Sequence, residues 1–107
     1  MIYKFKSKAA GDVIMTGPSG DQILGIIGKE PAAKGIVLPA DMPAAIAALE
    51  HAVQEDEAAR KRAEEEAAAK GSPLPPREGV TLRQRAWPLI DMMRRCHAAD
   101  KEIVWGV

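Results

Sequence analysis

The sequence predicts a single α+β domain in which a strand at each end pairs into a small sheet, with about four helices packed on one face of it. Two patterns carry that prediction. Tyr3 and Phe5 alternate with Lys4 and Lys6 at the start, and Ile103, Trp105 and Val107 share one face at the close, both at the period of a half-buried strand. Between them, Met42–Ile46–Leu49–Val53 and Leu82–Ala86–Leu89–Met93–Cys96 repeat at spacings of three and four, the period of one helix face. The length agrees, since 107 residues suit one core and are too few for two.

The first strand spans Ile2–Lys6, and its outward lysines discourage edge pairing. Ser7 is placed to cap a helix over Lys8–Met15, which Gly17-Pro18-Ser19-Gly20 interrupts. Ile23, Leu24, Ile26 and Ile27 give the apolar face of a second short helix that ends at Gly28 and meets the first at an angle. Gly35–Leu38 is short, apolar and bounded by Gly35 and Pro39, so it predicts a brief third strand. Asp41 then caps a long helix, with Pro43 tolerated in its first turn.

After Val53 the large apolar residues stop. Residues 54–70 are alanine and charge, with i,i+4 pairs at Asp56–Arg60, Glu57–Lys61, Arg60–Glu64, Lys61–Glu65, Arg62–Glu66 and Glu66–Lys70. Each pair contributes about 0.2–0.5 kcal/mol, enough together to hold a solvated helix until Gly71 stops it. Ser72-Pro73-Leu74-Pro75-Pro76 predicts a stiff linker, and residues 54–78 form a variable charged extension within the one domain 1–107. Thr81 and Gln84 make the capping box of the last helix, and Pro88 inside it predicts a kink near Arg85–Trp87.

Composition narrows the function classes. Hydrophobic residues make up 47% of the chain, but many are alanine and only four residues are aromatic, so the core is thin. Fifteen basic residues balance fifteen acidic ones, which leaves no overall field to draw the chain onto nucleic acid or an anionic membrane. The balance is local instead: residues 50–70 carry seven acids against four bases, and residues 71–107 six bases against four acids. One cysteine, Cys96, permits no internal disulfide, and no apolar run approaches a membrane span, so a cytoplasmic location is expected.

Four segments together resemble a known family: residues 5–15 (FKSKAAGDVIM), 44–50 (AAIAALE), 85–93 (RAWPLIDMM) and the closing Val104-Trp105-Gly106-Val107. They are similar to the bacterial family called domain of unknown function 1840. The resemblance runs from the first strand to the last residue and is weakest over residues 54–78. It implies a first helix that continues without a break, from which Gly17-Pro18 departs. It implies no activity, cofactor or site residue.

No constellation specifies a reaction. Cys96 lies on the predicted core face, where a structural thiol is the commoner explanation than a nucleophile, and His97 beside it points about 100° away. Two histidines and one cysteine without ligand spacing exclude a zinc site of the usual kind, and no cofactor is expected. Gly17, Ser19, Gly20 and Asp21 resemble a loop that cradles an anion before a helix, but they lack a full phosphate-binding fingerprint, and a plain helix–helix turn is the favoured explanation.

Glu57, Glu64, Glu65 and Glu66 with Arg83, Arg85, Arg94 and Arg95 form a candidate interaction surface for a protein partner or self-association; the alternative is a solvated face whose arginines pair with the acidic helix. Trp87 is the only aromatic among those arginines, which argues against RNA binding through stacking. The sequence therefore points to a non-catalytic interaction or regulatory module, with an anion- or small-molecule-binding module at Gly17–Asp21 second and a cysteine-dependent enzyme last.

Overall fold

In the computed structural model, which describes residues 2–72, Pro75 and residues 80–106, the strand expected at the start forms as β1 (Ile2–Lys6). Tyr3 and Phe5 are buried and their rings stack 6.0 Å apart, while Lys4 on the other face is exposed. The expected helix over Lys8–Met15 is not there. Residues 8–10 bend, and Val13–Thr16 returns as β2, antiparallel to β1 with Tyr3 opposite Met15 and Phe5 opposite Val13. The Ser7 hydroxyl does accept the Ala9 N–H, at 3.2 Å, but it closes a turn of the chain rather than a helix end. Burial alternates along the strand: Met15 is buried, Ile14 is exposed, and Val13 is half-buried.

Gly17-Pro18 consequently does not interrupt a helix but begins one, α1 (Gly17–Ile26), with proline in the first turn where its missing N–H costs nothing. β3 (Gly35–Val37) follows, then a 3-10 turn (Pro39–Asp41) and α2 (Met42–Ala69). The 3-10 turn runs directly into α2, so Asp41 has helical dihedrals and makes no side-chain cap hydrogen bond, contrary to expectation. Gly71, at φ +74, ends the helix: its N–H reaches the Ala68 carbonyl and that of Ser72 the Ala67 carbonyl. α3 (Leu82–Ala99) opens with the expected box, the Gln84 N–H donating to Thr81 Oγ1 at 3.1 Å and the Thr81 N–H to Gln84 Oε1 at 3.0 Å. Pro88 lies inside α3 without ending it. The described residues thus hold three α-helices and one 3-10 turn, not four helices, because the segment expected as the first is a strand.

β4 (Ile103–Trp105) pairs with β1, as its pattern predicts, and also with β3. The antiparallel sheet has the order β2-β1-β4-β3, so the strand nearest the end of the chain lies inside the sheet. Ile103 and Trp105 are buried on the inner face; Ile2, Ile14 and Ile36 stand exposed on the outer face. The core joins Tyr3, Phe5, Val37, Ile103 and Trp105 of the sheet to Ile23, Leu24, Met42, Leu49, Met93 and Cys96 of the helices. Cys96 is wholly buried, where its spacing placed it.

The charged stretch is helical to Ala69, and every residue from Lys61 to Glu66 is exposed. At about 1.5 Å per residue, α2 is roughly 42 Å long. It makes the molecule elongated, 52 × 27 × 22 Å, with a radius of gyration of 15.9 Å against about 13 Å for a round domain of this length. Within the arm, Arg60–Glu64 (2.8 Å) and Lys70–Glu66 (3.3 Å) pair as expected. Most of the proline-rich linker lies outside the described residues, and so does Val107.

An arm without buried side chains adds little to stability. Replacing residues 61–70 by a short glycine–serine linker is expected to move the melting temperature by no more than about 2–4 °C, as for other surface changes. A loss of cooperative melting by circular dichroism would mean that the arm is packed in the folded protein.

Candidate functional site

α2 and α3 run antiparallel, and charged side chains clasp them on one face. Arg83 donates from Nε (3.0 Å) and Nη2 (2.6 Å) to the two carboxylate oxygens of Glu57, and one helical stretch further on Arg94 Nη2 donates to Glu50. The hydrogen bonds and negative charge of Glu57 push the Arg83 guanidinium still further above its already high ordinary range. Both pairs are about half exposed, so each adds little to stability. Their main consequence is geometric: they hold extended side chains in fixed places around Trp87.

Trp87 is 50% exposed. The Arg94 guanidinium carbon sits 5.4 Å from the centre of its ring, a cation–π distance. Beside the ring a cavity of about 150 Å³ opens between α2 and α3, walled by Val53 and Ile90 and rimmed by Glu50, Gln54, Arg83 and Arg94. The face therefore combines a flat apolar ring, a small apolar hollow and a polar rim.

Of the residues expected on an interaction surface, the fold brings together Glu57, Arg83 and Arg94. Arg95 pairs instead with Asp91, one turn back in α3, at 3.0 Å. Arg85 turns toward β2, half-buried, and its Nε is buried with no hydrogen-bond partner among the described residues. Glu64, Glu65 and Glu66 lie further out, on the arm, with Glu64 held by Arg60 and Glu66 by Lys70. Trp87 itself was passed over as a site in the sequence. The spacing 83–87–94 that puts it on the arginine face was visible there; its exposure was not.

Gly17, Ser19, Gly20 and Asp21 occupy the first turns of α1. Gly17 and Gly20 are buried. A Cβ on Gly20 would lie 2.0 Å from Tyr3 Cδ2, so the glycine is the gap in which the Tyr3 ring sits. Asp21 accepts a hydrogen bond from the Tyr3 hydroxyl, and Ser19 Oγ lies 3.2 Å from Thr16 Oγ1. Two of the four residues thus hold Tyr3.

The Tyr3–Asp21 bond has a readable consequence. It raises the Tyr3 pKa above its ordinary value, with burial and the Asp21 charge adding to the effect. Folding therefore favours the protonated phenol. That contribution is complete below the unfolded value near 10 and is lost as pH rises through the higher folded value. Tyr3 is the only tyrosine in the chain, so absorbance at 295 nm follows it alone. Its titration is expected above pH 10 in the wild type and nearer the ordinary value in Asp21→Asn; identical curves would exclude the bond.

Among the described residues, no three His, Cys, Asp or Glu side chains converge as a metal site, and no helix is long and apolar enough to cross a membrane. The model of a family described as "Domain of unknown function (DUF1840)" matches residues 1–105. No curated protein matches, and no solved structure matches.

Proposed function

The chain belongs to the DUF1840 family, whose description carries no activity, and we propose that it is a non-catalytic protein-interaction module acting in the cytoplasm. The observation that carries the proposal is Trp87: a large aromatic ring half in water, fixed on a helix and framed by arginines that are themselves tied down. Tryptophan and arginine are the side chains most enriched at the energetic centres of protein interfaces, and rigid presentation reduces the entropy lost on binding. The rim of Glu50, Gln54, Arg83 and Arg94 suits the polar border of such a contact. The arm of α2 extends from the same helix and enlarges the reach of that face.

Trp87→Ala tests this. Removing a half-exposed ring leaves the fold intact, so its melting temperature is expected within about 5 °C of the wild type. Self-association followed by sedimentation, and any partner retained by immobilised wild-type protein, are expected to weaken by at least tenfold in affinity, since truncated interface centres cost about 2 kcal/mol or more. A variant that keeps every association at wild-type strength would remove Trp87 from the contact surface.

A further inference from the structure

A second surface lies along the free edge of the sheet. β2 is an edge strand, so it hydrogen-bonds to β1 on one side and turns backbone N–H and C=O groups outward on the other. Along it run two hollows, of about 470 and 250 Å³, that share Val13 and Pro88. Residues of β2 and the turn before it, with Ser19 of α1, form one wall, and α3 with Val80 just before it forms the other. Together they make one groove that follows the strand for its whole length. Two large apolar side chains line it while standing well exposed, Ile14 at 63% and Val80 at 61%.

Asp12 and Asp91 balance Arg85 and Arg95 in number along the groove, but the pairing is uneven. Asp12 is paired with Lys4 at 3.6 Å, and Asp91 with Arg95 at 3.0 Å. Arg85 lines the wider hollow, and its buried Nε has no acceptor among the described residues. A guanidinium N–H removed from water without an acceptor is costly, and a carboxylate that meets the guanidinium as the half-buried side chain turns outward relieves that cost with charge-assisted bonds. Ser19, in the first turn of α1, lines the same end of the groove as Arg85.

We infer that this groove takes an extended peptide segment of a partner protein, added as a strand along β2, with a carboxylate of the peptide on Arg85. A four-residue edge is about 13 Å long, room for four or five peptide residues. Main-chain bonds to β2 hold such a peptide, alternate side chains enter the hollow between Ile14 and Val80, and the carboxylate sets its register. The hollows run past both ends of β2, from Ala10 to Ser19, so the segment passes through the groove and its carboxylate is an Asp or Glu side chain.

The test is a titration of the ¹⁵N-labelled full chain with defined probes. They are an acetylated hexapeptide of alternating Thr and Val with a free C-terminal carboxylate, its C-terminal amide, the amide carrying Asp at its last position, and N-acetylvaline. The expected result is saturable shifts of the amides of residues 12–19 and a downfield shift of the Arg85 Nε–H with a carboxylate-bearing hexapeptide. The plain amide is expected to bind at least tenfold more weakly. Binding of the Asp amide supports an internal acidic segment; binding of the free acid alone would overturn that assignment in favour of a chain end.

Arg85→Gln is expected to lower the affinity for the carboxylate peptide at least tenfold and leave the weak amide binding unchanged. If that variant does not fold, the four wild-type titrations still decide the matter. Trp87→Ala is expected to keep the peptide affinity within twofold, so this inference and the Trp87 interface stand or fall separately. No saturable shift at millimolar concentrations of either carboxylate hexapeptide, equal affinity for the acid and the plain amide, or N-acetylvaline binding as tightly as the hexapeptide would each overturn the proposal.

Discussion

Trp105→Ala is expected to destabilise the protein by about 3–5 kcal/mol, the usual cost of emptying a buried aromatic site. For a domain of this size that is a fall in melting temperature of roughly 15–30 °C, and it takes a large share of the 5–15 kcal/mol typical of a whole domain. The residue is only 2% exposed. Its ring meets Phe5 edge to face at 5.7 Å, and its Nε1–H donates to the Ala32 carbonyl at 3.0 Å. Gly35 lies flat against the ring, so close that a Cβ there would come 2.2 Å from Cζ2.

Truncation to alanine thus opens a cavity and leaves the Ala32 carbonyl without its donor. Removing residues 103–107 altogether goes further. β4 joins β1 to β3, so its loss also strands β3. Thermal and urea unfolding followed by circular dichroism measure both. A Trp105→Ala protein that melts within about 5 °C of the wild type would contradict this packing.

Gly20→Ala is expected to cost about 3 kcal/mol or more, at the upper end of the range for overpacking. The sign opposes helix propensity, by which alanine in place of a helical glycine gains about 1 kcal/mol. The added methyl lands 2.0 Å from Tyr3 Cδ2 and 2.6 Å from Cε2. The ring has no room to retreat, because Phe5 stacks on it and Asp21 holds its hydroxyl. A double-mutant cycle separates the collision from a general intolerance of the site. On a Tyr3→Ala background, which is itself destabilised, the methyl has space, so its cost is expected to shrink by about 2 kcal/mol or more. Equal costs on both backgrounds would mean that Tyr3 is not what Gly20 makes room for.

The elements predicted correctly share one property: their signals are local. The capping box at Thr81–Gln84, the stop at Gly71, the core spacing of α2 and α3 and the alternation in β1 and β4 all follow from residues within one or two turns of each other. The prediction for Lys8–Met15 failed for a complementary reason. Ser7 offered a plausible cap, and the stretch is too short for its period to decide between helix and strand. Pairing decided it. A hairpin places Val13 and Met15 beside Phe5 and Tyr3 on the inner face, which a helix there would not do. Once β2 forms, Gly17-Pro18 has no helix to break and starts one.

The candidate sites divide in the same way. That charged residues of α2 and α3 would meet was visible as an acidic segment followed by a basic one. Which of them meet was not: Glu57 faces Arg83 across 26 residues and Glu50 faces Arg94 across 44. That Gly20 and Asp21 meet Tyr3, 18 residues away from Asp21, was not visible either.

By itself, then, the sequence determined the class, the core faces of α2 and α3, the stop of α2 at Gly71 and the start of α3 at Thr81, because periodicity and capping act between near neighbours; the pairing of the two terminal strands was also expected, from their matching alternation. The tertiary structure alone decided that residues 13–16 are an edge strand, that Trp87 stays half in water and that Arg85 Nε is buried with no acceptor among the described residues. Exposure, unpaired charge and a free strand edge depend on what the rest of the chain brings near a residue, and no local pattern encodes that.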